Sequence, residues 1–131
     1  MEVRVDLAQI VISETRDYQL IVLRERTGSR VLPIVIGLNE ALAIDRRVKN
    51  VQAQRPLTHD LLGNVIDMLS GELEKIVVND LQEHTFYAKL VIRQNGEIVE
   101  VDSRPSDAIA LGVAREVPIY VEEQVLREAA Q

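Results

Sequence analysis

The chain has 131 residues, of which 47% are hydrophobic and 3% aromatic, and it carries a formal net charge of −6. This length and hydrophobic content predict one domain with an aliphatic core, and they exclude a disordered chain. The acidic balance argues against general electrostatic binding to nucleic acid or anionic membrane, because proteins that bind by counterion release carry a basic surface. The absence of cysteine excludes disulfides and thiolate metal sites, and it fits a reducing cytosol.

The N-terminal segment MEVRVDLAQIVIS contains acidic residues and alternates in polarity from its start. It lacks the basic region followed by an apolar run that defines a signal peptide. No apolar run in the chain approaches the roughly 18 residues that span a bilayer. We therefore expect a cytoplasmic protein with no membrane contact.

Alternating runs rich in β-branched residues predict three strands in the first third of the chain, over residues 3–12, 18–26 and 30–36. Turn-forming residues separate these runs. Pro33 lies within the third run and has no amide hydrogen to donate to a neighbouring strand. The third strand is therefore expected at a sheet edge or beside a bulge.

Two helices are predicted in the middle of the chain from apolar residues at helical spacing. Asn39 is expected to cap the first, which covers NEALAIDRRVKN, and the second is expected from about Thr58 to Leu69. The residues expected to be buried are Ala41, Leu42, Ile44 and Val48 in the first helix, and Leu61, Leu62, Val65, Ile66 and Leu69 in the second.

The second half of the chain is predicted to contain three further strands, over residues 74–79, 85–93 and 97–102, with Asn95-Gly96 as a compact hairpin turn. These are followed by a helix over 106–115, a short strand over 118–121 and a terminal helix over 122–129. Consecutive antiparallel strands with helices between them indicate an α+β fold, with mostly antiparallel sheets and packed helices.

The two halves share an order of elements. YQLIVLRERTGSRVLPIVIGLNEALAI and TFYAKLVIRQNGEIVEVDSRPSDAIAL each read as strand, turn, strand and helix, and Glu40 falls opposite Asp107. This pattern is consistent with internal duplication of a strand–strand–helix unit inside a single domain over residues 1–131. The halves cover roughly residues 1–50 and 74–121, and the helix over 58–70 joins them.

Two similar octets begin with an Arg-Pro pair, RPLTHDLL at Arg55 and RPSDAIAL at Arg104. Proline suits the first helical turn, and Thr58 and Ser103 are expected to cap the two helices. Capping does not explain the arginines, because a cation ahead of a helix N-terminus faces the positive end of the helix dipole. Each arginine is expected either to form a structural ion pair with a nearby carboxylate or to belong to an anion site suited to phosphate.

Three carboxylates are candidates for a metal site. Asp102 ends a strand and Asp107 opens the next helix, so both are expected to face one cleft, together with Glu40 from the related junction. Converging carboxylates are the ligands that Mg²⁺ or Mn²⁺ requires, and such a cation assists phosphodiester hydrolysis. No HExxH, Walker loop, nucleophile elbow or GxGxxG motif occurs in the chain.

His59 stands beside Asp60 in the first turn of the second predicted helix. Neighbouring helical side chains point about 100° apart, so these two residues are expected to contact different partners. A histidine near the positive end of a helix is more readily neutral, which suits a general base or a metal ligand. The alternative is a partly exposed residue that only covers the junction, and His84 is expected to be a loop residue without a role.

Four segments, LPIVIGLNEALAI, RPLTHDLLGNVI, TFYAKLVI and VDSRPSDAIALGVAREVPIYV, together resemble the bifunctional nuclease domain family. The resemblance extends from about Val3 to Leu126. It implies an α+β domain that tends to self-associate, so that a homo-oligomer is expected, and a nuclease activity on both DNA and RNA.

Together with the local arguments above, the matching positions give the expected residues of a metal-assisted nuclease site. The expected catalytic residues are His59, Asp60, Asp102 and Asp107; the expected substrate-binding residues are Arg55, Thr58, Arg104 and Ser106; the expected ligands of Mg²⁺ or Mn²⁺ are Glu40, Asp102 and Asp107. The alternative is a non-catalytic oligomeric module that binds a small anion or a protein partner. The acidic balance and the few aromatic residues favour that alternative, because single-strand binders stack bases on aromatic rings.

Overall fold

A seven-stranded sheet carries four helices in the computed structural model, which describes all 131 residues. The α+β class predicted from the sequence is confirmed. The elements in chain order are β1 (Glu2–Val11), β2 (Gln19–Glu25), β3 (Val31–Ile36), α1 (Leu38–Val48), α2 (Thr58–Met68), β4 (Gly71–Gln82), β5 (Thr85–Gln94), β6 (Glu97–Ser103), α3 (Pro105–Val113), β7 (Ile119–Glu122) and α4 (Glu123–Ala129).

Two antiparallel meanders lie side by side in the sheet, whose strand order is β3-β2-β1-β7-β4-β5-β6. The first meander consists of β1, β2 and β3, and the second of β4, β5 and β6. β7 joins them, antiparallel to β1 and parallel to β4. Each meander is followed by a helix, α1 or α3, so the two halves share an order of elements as predicted, with one strand more in each unit.

Alternation along the strands directs one face of the sheet toward the helices. Residues of that face and of the helices form a single cluster of 22 buried residues, in which Ile21, Ile44 and Ile109 are fully buried. The opposite face, which we call the polar face, carries cross-strand ion pairs such as Lys75–Glu2 at 2.6 Å. None of the four helices is both long and apolar enough to cross a bilayer.

Small residues allow α1 and α3 to pack against each other above the sheet. Ala41 in α1 and Ala108 and Ala110 in α3 are at most 1% exposed. Because each helix starts directly after the third strand of its meander, this packing brings the two strand-to-helix junctions together. The functional candidates from the two halves of the sequence therefore meet at one end of the helix pair.

The two edges of the sheet differ in their protection. β3 forms one edge, as predicted from Pro33, and the Val31 backbone exchanges hydrogen bonds of 3.0 and 2.8 Å with Gln131. β6 forms the other edge and pairs with β5 alone, without a proline or a bulge. The Asn95-Gly96 turn before β6 has φ values of 52° and 80°, as a tight hairpin requires.

The expected N-caps lie one or two residues away from those observed. Gly37 rather than Asn39 precedes α1, and Arg104 rather than Ser103 precedes α3. Neither N-cap residue makes a side-chain capping bond. The Ser103 assignment was wrong because Pro105 takes the first position of α3 itself, which makes the preceding Arg104 the cap.

The buried stripes predicted for α1 and α2 are only partly correct. Ala41 and Ile44 of α1 are buried, whereas Leu42 and Val48 are 36% and 53% exposed. α2 buries only Ile66 of the five residues expected, and its exposed members are Leu61, Leu62, Val65 and Leu69. Helical spacing identifies an apolar side, but α2 lies at the outer end of the helix layer, where α3 and the sheet cover only part of that side.

Replacement of Ile44 by alanine is expected to lower the free energy of unfolding by about 2–5 kcal/mol, because it leaves a cavity in a fully packed core. The matched variant Leu42→Ala, two residues away in the same helix, is expected to cost less than about 1 kcal/mol. Urea denaturation followed by circular dichroism measures both values. Equal losses in the two variants would contradict the burial described for α1.

Candidate functional site

The N-terminus of α3 carries an ion pair within the RPSDAIAL segment. Arg104 is the N-cap residue, with an extended backbone. Its Nε atom donates to Asp107 Oδ2 at 2.9 Å, and its Nη2 atom donates to Asp107 Oδ1 at 3.2 Å. The carboxylate therefore offsets the unfavourable position of the guanidinium ahead of the helix dipole. This is the ion-pair alternative inferred from the sequence.

His59 contacts the same carboxylate from α2. Its Nε2 atom lies 3.0 Å from Asp107 Oδ1, and its side chain is 18% exposed. Burial raises the pKa of Asp107, but hydrogen bonds from Arg104 and His59 outweigh burial and hold that pKa below its usual range. Asp107 is thus an ionised carboxylate that holds an imidazole and a guanidinium together.

Asp60, the next residue of α2, faces a different partner, as predicted. One oxygen accepts the Leu57 backbone N–H at 3.0 Å, and the other binds Arg47 of α1. The backbone bond first, and Arg47 after it, hold the pKa of Asp60 below its usual range against the opposing effect of burial. Arg47 also donates to the carbonyl oxygens of Ala110 and Leu111 in the last turn of α3. The Asp60 carboxylate therefore fixes α2 to α1 and α3.

A cleft of about 770 Å³ opens beside Arg104. Its walls are the end of β3, the β4–β5 turn and the starts of α1 and α3. Glu40, in the first turn of α1, lines the cleft and lies 3.8 Å from Arg104. His59 and Asp107 do not line the cleft and lie on the other side of Arg104. The Arg104 guanidinium contacts the carboxylates of both Glu40 and Asp107. Arg104 is consequently the link between the cleft and the imidazole.

The remaining predicted substrate-binding residues differ in their surroundings. Ser106 is 5% exposed and lines the cleft, and its hydroxyl makes no hydrogen bond to another protein group. Thr58 is the first residue of α2 and is exposed. Arg55 is exposed and forms no ion pair, unlike Arg104. Only Arg104 and Ser106 of this set belong to the cleft.

Asp102 does not join the other predicted carboxylates. It pairs with Lys89 across β5–β6, whereas the next pair, Ser103 with Ala88, faces the core. Because side chains alternate along a strand, Asp102 points to the polar face, while Asp107 follows on the helix side. The expectation that both carboxylates face one cleft is therefore wrong.

The predicted metal ligands Glu40, Asp102 and Asp107 do not form a cation site in this arrangement. Both oxygens of Asp107 accept hydrogen bonds from Arg104, and Glu40 approaches the same guanidinium. No set of three His, Asp or Glu side chains is close enough together to hold a metal ion. These residues do not fit Mg²⁺ or Mn²⁺, which bind about six oxygen ligands and repel a guanidinium.

Two features of the site escaped the sequence analysis. Arg47 gave no local signal, because its partners are 13 and 63 residues away in the chain. His84, expected to be a loop residue without a role, lies in the β4–β5 turn with φ 68° and lines the cleft together with Phe86 and Tyr18. The β4–β5 turn has the length of an ordinary hairpin turn. Whether such a turn lines a cleft depends on the order of the strands in the sheet, which local sequence does not show.

Comparison with known proteins gives consistent matches. The model of the bifunctional nuclease domain matches residues 21–131. An uncharacterized protein of Mycobacterium tuberculosis is 44% identical over 128 residues, which are 98% of this chain and 75% of that protein. Bifunctional nuclease 2 of Oryza sativa subsp. japonica is 31% identical over 84% of this chain, and bifunctional nuclease 1 of Arabidopsis thaliana is 30% identical over 77% of it. The matched segments cover 35% and 32% of those plant proteins.

The Arg104→Met variant is expected to raise the pKa of Asp107, because the carboxylate keeps its burial but loses the guanidinium bonds. A carbon-detected NMR titration of the aspartate carboxyl groups measures the change. The depressed pKa stabilises the native state above the unfolded value of 3.8, and this contribution is lost as the pH falls through the lower folded value. The stability gap between wild type and variant should therefore close in acid.

Arg55→Met is the matched control, since Arg55 starts the other Arg-Pro octet and has no ion pair. It is expected to leave the Asp107 titration unchanged. An unaltered Asp107 pKa in Arg104→Met would contradict the ion pair described for this junction.

Proposed function

The chain belongs to the bifunctional nuclease domain family, and from this premise we propose that it hydrolyses phosphodiester bonds of DNA and RNA. The observation that carries the proposal is the cluster in which Asp107 holds His59 on one side and Arg104 on the other. The plant relatives are named as nucleases, and the chain matches about a third of their length. The assignment of activity to this domain rests on the cluster.

Arg104 is the proposed phosphate ligand. Its side chain is 64% exposed, and its Nη1 atom lies 3.8 Å from Glu40, which leaves donor capacity toward the cleft. Guanidinium groups bind phosphate oxygens with paired hydrogen bonds. The unbonded hydroxyl of Ser106 and the first backbone amides of α3 supply further donors beside it. This local arrangement supports phosphate binding by a chain whose net charge is −6.

His59 is the proposed general base for a phosphodiester that reaches from the cleft across Arg104 to the imidazole. When Nε2–H donates to Asp107, the lone pair lies on Nδ1, and the ionised carboxylate stabilises the imidazolium that forms. Nδ1 takes a proton from the attacking water while the water oxygen bonds to phosphorus. The bond from phosphorus to the leaving sugar oxygen then breaks, that oxygen takes a proton from solvent water, and the imidazolium returns its proton to solvent. Such acid–base assistance accelerates a reaction by about 10²–10⁴-fold.

Nuclease activity of the purified protein tests the proposal on labelled single-stranded DNA and RNA. His59→Asn and Asp107→Asn are each expected to reduce the rate by about 10²-fold or more. Asp102→Asn is the matched carboxylate control, and it is expected to keep the wild-type rate because Asp102 points to the polar face. Each variant is checked for a native thermal transition, so that unfolding is not mistaken for lost catalysis.

The assays are run with Mg²⁺, with Mn²⁺ and with EDTA. The EDTA arm separates hydrolysis by side chains alone from hydrolysis with a cation that the nucleic acid brings on its phosphates. The same trace activity in wild type and all variants would identify a contaminating nuclease. In that outcome the Arg104–Asp107 pair is a structural ion pair, and a non-catalytic module that binds a small anion or a protein partner describes the domain better.

A further inference from the structure

The cleft beside Arg104 contains half of the aromatic residues of the chain. The sequence has one phenylalanine, three tyrosines and no tryptophan. Phe86 and Tyr18 line the cleft together with the imidazole of His84, whereas Tyr87 and Tyr120 do not. The few aromatic groups that the sequence provides are therefore concentrated where a ligand would enter.

The rings of the cleft come from two separate parts of the fold. Tyr18 directly precedes β2 in the first meander, and the next residue, Gln19, pairs with Ile36 at the end of β3. His84 and Phe86 belong to the β4–β5 turn and the start of β5, in the second meander. β1 and β7 lie between β2 and β4 in the sheet. A planar group in the cleft can therefore contact rings from both meanders.

Both aromatic walls are anchored to the rest of the protein. Gln19 is 4% exposed, and its Oε1 atom accepts the Ser13 backbone N–H at 2.5 Å, which closes the turn that carries Tyr18. Phe86 packs against the hydrophobic core and lies opposite Leu81 in the β4–β5 ladder. Rings that are fixed before binding lose less conformational entropy when they contact a ligand.

The turn that carries His84 has an unusual composition for its shape. Glu83 and His84 have φ values of 48° and 68°, the left-handed conformation that a two-residue hairpin turn requires. Asn95 and Gly96 adopt the same conformation in the β5–β6 turn, and Asn-Gly is the preferred pair for it. Backbone preference therefore favours glycine at position 84, and a role of the imidazole in the cleft accounts for its presence.

The charges of the cleft suit a ligand that is neutral apart from one phosphate group. Arg104 is the only lysine or arginine among the lining residues, whereas Asp17, Glu40 and Glu128 bring three carboxylates. This balance opposes a nucleoside triphosphate or a second phosphate in the cleft. Carboxylates accept hydrogen bonds from the amino and imino groups of nucleobases. The lining is therefore suited to a base beside a single phosphodiester.

Ser106 brings an unpartnered polar group to the same cleft. The residue is 5% exposed and lines the cleft, and its hydroxyl makes no hydrogen bond to another protein group. A buried polar group without a partner is unfavourable, so a ligand that bonds to this hydroxyl stabilises it. Because Ser106 lies in the first turn of α3 next to Arg104, it marks the phosphate position of the cleft.

On the basis of the proposed phosphodiester hydrolysis, we propose that the cleft takes one unpaired nucleobase of a single-stranded substrate, stacked against the rings of Tyr18, His84 and Phe86. The phosphodiester of that nucleotide lies on Arg104 and Ser106. The cleft volume of about 770 Å³ falls within the range of ~300–1,000 Å³ found for small-molecule sites. A paired base cannot enter, because it is stacked inside the duplex. The substrates are therefore single strands and unpaired segments of DNA and RNA.

Photocrosslinking tests the position of the base. A single-stranded DNA oligonucleotide with one 5-iodouracil is irradiated with the His59→Asn variant, whose substitution lies outside the cleft and slows the proposed hydrolysis. Mass spectrometry is expected to find the attached nucleotide on Tyr18, His84 or Phe86. Attachment at Tyr87 or Tyr120, or no attachment at all, overturns the proposal.

Fluorescence anisotropy with a labelled single-stranded oligonucleotide measures the contribution of the rings. Phe86→Leu keeps an apolar side chain against the core and is expected to weaken binding by about tenfold, because the stacking ring is lost. Tyr87→Leu changes the next residue of β5, which points to the opposite face, and is the matched control that keeps the wild-type affinity. His84→Gly is expected to weaken binding without lowering the melting temperature, since glycine suits the left-handed turn. Wild-type affinity in both Phe86→Leu and His84→Gly contradicts the stacking.

The duplex of the same sequence is expected to bind at least about tenfold more weakly than the single strand, and equal or tighter binding of the duplex overturns the proposal. Neither binding nor crosslinking requires hydrolysis, so this proposal and the proposed function fail separately. Ring-dependent binding of single strands without cleavage supports the base in the cleft and removes the nuclease activity. Cleavage that depends on His59, together with binding that is independent of the rings, does the reverse.

Discussion

The part-buried guanidinium of Arg47 joins the three helices of the site. It comes from the last turn of α1, donates to two carbonyl oxygens at the end of α3, and binds Asp60 in the first turn of α2. Carbonyls at a helix end lack partners within the helix, and a cation there also complements the dipole. Because Asp60 fixes the start of α2, the same contact sets the position of His59, one residue earlier. This contact therefore helps to place the imidazole against Asp107.

Much of the fold follows from local patterns in the sequence. The alternating runs, the Asn95-Gly96 turn and Pro33 led to the correct strands, hairpin and sheet edge, because each depends on backbone geometry within a few residues. The exposure of α2 could not be predicted in the same way. An apolar stripe shows which side of a helix avoids water, but whether another element covers it is decided by the packing order of the layer.

The candidate site shows the same division between local and distant information. The position of Arg104 ahead of a helix dipole predicts either an ion pair or an anion site, and its partner Asp107 is only three residues away. The contact of His59 with Asp107 spans 48 residues, and no spacing rule predicts it. Asp102 illustrates the opposite error, since it is five residues from Asp107 in sequence but lies on the other face of the sheet. Proximity along a strand end does not bring side chains together unless the alternation also agrees.

The two sides of α2 contribute differently to its position. Its polar side is fixed by Asp60, Asp67 and His59 to partners on α1 and α3 and beyond α3. Its apolar side contributes little to the core of one chain, because most of its large side chains remain exposed. The position of His59 therefore depends on the polar contacts of α2 rather than on burial of Leu61, Val65 or Met68.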